Sequence, residues 1–474
     1  MTGPDAPSSL HAVAAAAARA GAAELDGDGS TPVAGTAHDS RAVAPGDVFC
    51  CVPGATVDGH DHAGAAVAAG AAALLCERPL GLGVAEVRVA SVRRAMGPVA
   101  AVVAGDPSHD LVVLGITGTN GKTTVVHLLA AVFAAAGWPA VTVGTLTGAR
   151  TTPEAPELQA TLAGARADGA RVVAMEVSSH ALDQHRVDGT RFAVAGFTNV
   201  SPDHLDHHGT MEAYFAAKAR LFTPELTDAA VVCTDDPRGR LLVDSAQVPT
   251  LGVGESDASG LELDALGSRF TWRGQGVHLP LPGRFNVRNA LVAAELAHAA
   301  GVAPAVVAAG LGAAPPAPGR FEPVVAGQPF TVVVDYAHTP DGLEQVIAAL
   351  REVEAGRVTV VFGCGGDRDR TKRPLMGEAA AGADRVILTS DNPRSEDPGA
   401  IIAAVRAGIP PETDLVIDPD RRSAIRVALA GAAPGDVVLL AGKGHETTQV
   451  TGDRVVPFDD RQVARELLSG RSPT

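Results

Sequence analysis

Gly118-Thr119-Asn120-Gly121-Lys122-Thr123-Thr124 combines glycines, a lysine and hydroxyls at a spacing that suits phosphate chemistry. The glycines let backbone N–H groups turn toward an anion, the lysine neutralises charge, and Thr123 can ligate magnesium. Strict Walker spacing fails at one position, because Ile116 stands where its first glycine would be. The blander alternative is a plain glycine turn between strand and helix; the adjoining Gly-Lys-Thr-Thr argues against it. Nucleotide binding alone leaves ATPases, kinases and ligases open. Glu176 closes an apolar run, at a strand end where open α/β sheets concentrate their ligands. His204 alone is compatible with a structural histidine. Lys218, on a helical pattern from Met211 to Leu221, reads in isolation as a solvated charge.

The elements that must position these groups fall into three blocks. The first runs to about Gly105 and holds a polar turn at His38-Asp39-Ser40-Arg41, a short strand from Asp47 to Val52, and helix and strand patterns to Cys76. The second opens at Asp106-Pro107-Ser108. Its strands, Leu111 to Ile116, Arg171 to Val177 and Ala193 to Asn199, alternate with helices, the signature of a mostly parallel sheet. The Pro-Gly-rich stretch Gly310 to Gly319 reads as a linker. Beyond it, Thr331 to Asp335, Val358 to Phe362, Arg385 to Ser390 and Val437 to Ala441 predict another open α/β sheet.

A chain of 474 residues needs two or three cores. Its net charge of -16 argues against a general nucleic-acid binder or a polybasic membrane-surface protein, so anionic substrates need local basic sites. Five cysteines with no CxxC pair suggest free thiols in a reducing compartment. The uncharged apolar run Ala63 to Cys76 is too short to span a bilayer, and the expected location is cytoplasmic.

Further motifs follow the phosphate loop in order: Thr151-Thr152-Pro153-Glu154, Glu176-Val177-Ser178-Ser179-His180, Arg186, Asn199, Asp203-His204-Leu205-Asp206 and Lys218. Later come Asn286, Asn289, Gly319-Arg320, Asp335 to Pro340, Asp391-Asn392-Pro393-Arg394 and Gly442-Lys443-Gly444-His445-Glu446. Over nearly its whole length the chain resembles the Mur ligase family, within it most closely the branch that adds meso-diaminopimelate to UDP-N-acetylmuramoyl-L-alanyl-D-glutamate (UDP-MurNAc-L-Ala-D-Glu). The resemblance implies an α/β fold of three domains. These are an N-terminal UDP-sugar-binding domain (1–107), a central P-loop-type ATP-binding domain with a mostly parallel sheet (108–317), and a C-terminal Rossmann-like amino-acid-binding domain (318–474). It also implies an ADP-forming ligase of cell-wall precursor synthesis that uses ATP and magnesium, acts as a monomer and does not insert into membranes.

The resemblance assigns roles residue by residue. Lys122, Lys218 and His204 are catalytic; Gly118 to Thr124, Asn289, Arg320, Asp335 and His338 bind ATP. Thr123, Glu176, His204 and Lys218, the last as a carbamate, hold magnesium. Ser40, Thr151, Thr152, Ser178 and Arg186 face the nucleotide-linked peptide, with Arg186 complementing a carboxylate. Arg368, Asp391, Asn392, Pro393, Arg394, Gly442 and Glu446 take the diaminopimelate. Arg394 can clamp the distal carboxylate that lysine lacks, while Glu446 accepts from the distal ammonium. The competing account pairs Arg394 with Glu396 or Asp397, or makes it a helix cap. His207 stands where the family usually has tyrosine, Phe321 where methionine is common, and the helix after Pro374 reads one residue short. The rival readings are a lysine- or LL-diaminopimelate-adding variant, a folylpolyglutamate synthetase, and a non-catalytic binding subunit. The Asp391 to Arg394 and Gly442 to Glu446 segments argue against the synthetase. The presence of Lys122, Glu176, His204 and Lys218 argues against the non-catalytic subunit.

Overall fold

The computed structural model describes residues 8–54, 56–264, 267–353 and 356–470, so the outermost ends of the first and third expected domains lie outside the described residues. Three larger sheets carry the molecule. Near the N-terminus, β1 (Ala23–Asp26), β2 (Gly35–Ala37), β3 (Asp47–Cys50), β4 (Ala73–Cys76) and β5 (Ala85–Val89) form a sheet of order β1-β5-β4-β3-β2. Only the β1–β5 pairing is antiparallel. Helix α1 (Val92–Val103) follows, and its buried face includes Val92, Ala95, Met96 and Val99.

The central sheet comprises β6 (Val112–Thr117), β7 (Ala140–Val143), β8 (Val172–Glu176), β9 (Val194–Phe197), β10 (Ala230–Cys233) and β11 (Thr250–Val253), in the order β11-β10-β9-β6-β8-β7. All its pairings are parallel. Strands β8, β9 and β10 are buried at every position, which is why they read as unbroken apolar runs. The chain leaves β6 toward β8 and β7 on one side, then returns to build β9 to β11 on the other. Such a reversal opens a crevice at the strand C-termini. Helix α2 (Lys122–Ala135) starts in that crevice, and α3 (Ala155–Ala167), α4 (Met211–Ala219), α5 (Arg284–Ala299) and α6 (Pro304–Gly312) complete the helices that concern the site.

Two features depart from the elements expected above. A three-stranded antiparallel sheet, β12 (Ser259–Asp264), β13 (Gly267–Trp272) and β14 (Gln275–Leu279), packs into the central core through Phe270 and Trp272. Helix α6 also runs into the expected linker: Gly310 is helical, and a Cβ there would stand 2.5 Å from Val132 Cα of α2. That glycine permits a close helix crossing rather than a flexible joint.

The last sheet holds β15 (Glu322–Pro323), β16 (Thr331–Asp335), β17 (Val358–Phe362), β18 (Arg385–Leu388), β19 (Leu415–Ile417) and β20 (Val437–Ala441), ordered β15-β16-β20-β17-β18-β19. All but β15 are parallel. Helix α7 (Pro340–Val353) follows β16, and α8 (Lys372–Ala380) follows β17. Pro374 lies within the first turn of α8 rather than ahead of the helix, a place where its missing N–H leaves no bond unmade. Helix α9 (Arg421–Ala430) and a hairpin of β21 (Thr448–Thr451) and β22 (Arg454–Pro457) flank the sheet. Five cysteines are free and buried. Among the described residues no helix is long and apolar enough to cross a membrane.

Candidate active site

The C-terminal ends of β6, β8 and β9 face those of β16, β17, β18 and β20 across a cavity of about 440 Å³. Thr119 to Thr123 line one wall, with Thr145, Thr151, Glu176, Ser178 and His204 beside them. Arg320, His338, Arg368, Asp391, Asn392, Arg394, Gly442 and Glu446 line the other. A smaller space of about 230 Å³ adjoins it, bounded by Asn120, Gly121, Thr124, Asn289, Asp335 and the ring of Phe285.

The phosphate loop is held from below. Thr119 N–H donates to Asn199 O at 2.9 Å, Asn120 N–H to Asn199 Oδ1 at 2.9 Å, and Thr198 Oγ1 to Asn120 O at 2.6 Å. Gly121 has φ +87°, and a Cβ on it would meet Asn289 Oδ1 at 2.3 Å. Asn289 therefore abuts the loop. Lys122 Nζ donates to Gly118 O at 2.8 Å and Thr119 O at 2.9 Å, and burial lowers its pKa.

Thr123 Oγ1 donates to Glu176 Oε2 at 3.0 Å, and Thr145 N–H donates to Glu176 Oε1 at 2.8 Å. A hydroxyl and a carboxylate beside a phosphate loop fit magnesium, which takes one or two protein oxygens and completes its shell with phosphate and water. Among the described residues no three acids, histidines or cysteines converge as a closed metal cage. Lys218 is not the solvated charge its helix pattern suggested. It is 1% exposed, Nζ donates to Gly118 O at 2.9 Å, and it stands 4.4 Å from the Tyr214 ring centre. Burial first, and the Lys122 charge second, hold its pKa well below the ordinary lysine value.

His204 has φ +54°, an uncommon conformation that turns the chain at the start of a short helix. Its ring meets that of His180 edge-on, centres 4.7 Å apart, and burial pushes its pKa down to about 3, so it is neutral. His207, the departure from tyrosine, packs 4.3 Å from His180 and bonds Asp183 at 2.9 Å.

From the opposite wall, Arg320 Nη2 donates to Thr123 Oγ1 at 3.2 Å, and its guanidinium lies 4.4 Å from the Tyr336 ring centre. Asp335 accepts from Phe321 N–H at 2.7 Å, and His338 Nδ1 bonds Tyr336 O at 2.9 Å. Phe321, at φ +46°, packs against Phe285 with centres 5.9 Å apart. Asn392 Nδ2 donates to Glu446 Oε2 at 2.6 Å. Glu396 is taken by Arg373 at 2.8 Å and Arg370 at 3.2 Å, while Asp397 accepts from Ala400 N–H at 2.8 Å as a helix cap. Neither competitor holds Arg394, whose Nη1 donates to Gly366 O.

Six expected residues line neither space: Gly118 and Lys218, bonded to each other at the base of the loop, and the four that follow. Thr152 is 1% exposed and donates to Glu176 O at 2.9 Å, a supporting contact behind the strand end. Arg186 donates through its two Nη groups to Thr152 O at 3.1 Å and Gln184 Oε1 at 2.7 Å, and its Nε, 3.0 Å from Glu154, is buried without a hydrogen bond, so the guanidinium is turned to protein. Pro393 packs against Gly366, where a Cβ would meet its carbonyl at 1.8 Å. Ser40 sits in the N-terminal turn, whose neighbour His38 reaches Glu157 at 3.3 Å. Residues not anticipated include Lys372, 3.4 Å from Asp203, and Asp341, which accepts from Asn120 Nδ2 at 3.0 Å. The basic run from Arg368 to Arg373 was the available signal for Lys372.

The chain matches the Mur ligase family catalytic domain over residues 32–104, the Mur ligase middle domain over 116–297, and the Mur ligase glutamate ligase domain over 319–444. A Streptomyces coelicolor protein named UDP-N-acetylmuramoyl-L-alanyl-D-glutamate--2,6-diaminopimelate ligase is 46% identical over 472 residues, covering 93% of this chain and 93% of its own. A solved structure of the same name superposes with TM-score 0.69 at 34% identity over 98% of this chain and 99% of that one. The MurF ligase of Thermotoga maritima, solved in complex with ADP, shares the fold at TM-score 0.66 and 19% identity, over 92% of this chain and 97% of its own. With a phosphate loop facing an arginine-lined wall across one cleft, a buried lysine bonded to that loop, and relatives alike along almost the full length, the chain belongs to the Mur ligase family.

Proposed function

We propose that this protein joins meso-diaminopimelate to the D-glutamate of UDP-MurNAc-L-Ala-D-Glu, with ATP converted to ADP and phosphate. The observation that carries this reading is one cavity in which a phosphate loop faces Asn392, Arg394 and Glu446. A free carboxylate does not form an amide with an amine at useful rates, because hydroxide is a poor leaving group. Transfer of the γ-phosphoryl group to the D-glutamate carboxylate breaks the bond to ADP and forms an acyl phosphate. The amine then attacks the carbonyl carbon, phosphate departs, and a proton leaves the nitrogen.

Each residue's part follows from charge. The loop N–H groups and Lys122 cradle the nucleotide phosphates, and Arg320, with an Nη 3.2 Å from Thr123, supplies charge from the facing wall. Magnesium, held by Thr123 and Glu176 with His204, would neutralise charge on the transferring group. Lys218 fits the role of a carbamate: uptake of carbon dioxide needs a neutral amine, forms an N–C bond and releases a proton. Its burial and the neighbouring Lys122 favour that neutral form. Asn289 and Phe285 border the space suited to the base. Arg394 and Arg368 suit the distal carboxylate of the amino acid, and Glu446 its ammonium. Ser40, Thr151 and Ser178 are assigned to the nucleotide-sugar peptide, while Thr152 and Arg186 support that end by holding the loop.

Phosphate release tests the reading. Release should require ATP, the UDP-dipeptide and diaminopimelate together. Equal release with diaminopimelate left out would refute amide ligation to that amine.

A further inference from the structure

Lys443 is wholly buried, yet none of the steps above uses it. Its ammonium donates to Thr448 O at 2.7 Å and stands 3.3 Å from Glu446 Oε2, 3.5 Å from Asn392 Oδ1 and 3.9 Å from Asp391 Oδ1. These partners come from three segments: the loop after β18, the turn after β20, and strand β21. The same segments are stitched further. Val450 N–H donates to Asn392 Oδ1 at 2.9 Å, Val450 O accepts from Arg394 N–H at 3.0 Å, and Gln449 Nε2 donates to Asp391 O at 2.8 Å. A buried charge persists only where it is paired, so the cation fixes the geometry of what surrounds it.

The consequence falls on Glu446. Asn392 and Lys443 both act on Oε2, and Oε1 has no hydrogen bond among the described residues. One carboxylate oxygen is thereby anchored and the other is left for an incoming ammonium. Anchoring removes rotamer freedom before the ligand arrives, which strengthens binding without a direct contact.

We infer that Lys443 is a positioning residue for the diamino acid: it holds Glu446 and Asn392 in the orientation that receives the distal ammonium and carboxylate. This rests on the proposed ligase activity, which the wild-type arm tests by itself. If wild-type protein forms no UDP-tripeptide with any diamino acid, the ligase reading fails and takes this one with it. With wild-type turnover in hand, Lys443→Met is expected to raise KM for diaminopimelate on the order of tenfold or more, the worth of one charge-assisted hydrogen bond. KM for ATP and kcat at saturating diaminopimelate should stay within about threefold, and Lys443→Arg should recover part of the loss. An unchanged KM for diaminopimelate overturns the inference. So does a parallel rise in both KM values with a fall in kcat, the pattern of general damage. If Lys443→Met does not fold, Lys443→Gln, which keeps a donor for Thr448 O without charge, is measured for the same split and judged by the same outcomes.

Discussion

Lys122 and Lys218 donate to one carbonyl, that of Gly118, and neither has an ordinary lysine environment. Two ammonium groups on one acceptor repel, and burial disfavours both charges, so Lys218 is the amine most readily found neutral. Lys218→Ala is expected to lower kcat by about 10²-fold or more, as loss of a preorganised charge does, with partial recovery in added formate or acetate. Full activity in the variant would refute the assignment. The sign of the pH effect follows from the lowered pKa. A more acid solution protonates the amine and disfavours carbamate, so activity in carbon dioxide-depleted buffer should fall with pH and return on adding bicarbonate. His204, already neutral down to about pH 3, does not set that limb. We assign amino-acid specificity to Arg394, so Arg394→Ala should cost about 2 to 5 kcal/mol in binding diaminopimelate. ATP affinity should hardly change, and steady-state kinetics against each substrate separates the two.

The elements carry these groups because their own packing is firm. Arg421 of α9 and Asp460 are both fully buried, 2.6 Å apart, and Arg421 also donates to Ala441 O, the residue just before Gly442. Removing one partner leaves a buried charge unmatched, so Asp460→Ala should lose about 3 to 5 kcal/mol in chemical denaturation. Gly310→Leu should destabilise by about 1 to 3 kcal/mol or more, since its side chain would enter α2 at Val132. What was legible at this scale was set by burial. Strands such as Val172–Glu176 and Val437–Ala441, covered on both faces, announce themselves as apolar runs. The antiparallel sheet is harder to read because its strands are half exposed, although the alternation of Arg269, Thr271 and Arg273 with Phe270 and Trp272 carries a period of two. Gly310 misled because composition does not distinguish a glycine for bending from one for close approach. Motif residues on loops were legible as types, whereas the retreat of Arg186 behind Thr152 depends on Glu154 and Gln184, contacts that no spacing encodes.

At the scale of the whole molecule, the two walls already touch: Asn120 with Asp341, Thr123 with Arg320, and Asp203 with Lys372 join the phosphate loop side to the last sheet. Three histidines of this cleft and His445, packed behind Tyr336, are desolvated, His180, His338 and His445 held down to about 4 and His204 to about 3, each by burial first. In the unfolded chain they titrate near 6.5, so the unfolded state takes up protons first as the solution is acidified. Their contribution to stability is whole above about pH 6.5 and is lost toward pH 4. Denaturation midpoints should therefore fall between pH 7 and pH 5, and less steeply in His445→Gln; a midpoint independent of pH in that interval would oppose this. The central claim is that the cleft gathers nucleotide, muramoyl dipeptide and one chosen diamino acid. Incubation with ATP, UDP-MurNAc-L-Ala-D-Glu and an equal mixture of meso-diaminopimelate, LL-diaminopimelate and L-lysine, read by product mass and, for the two isomers, by chiral separation after hydrolysis, tests it most directly. The account predicts a UDP-tripeptide carrying meso-diaminopimelate almost alone; a lysine product, or an unextended dipeptide while ATP is consumed, would contradict it.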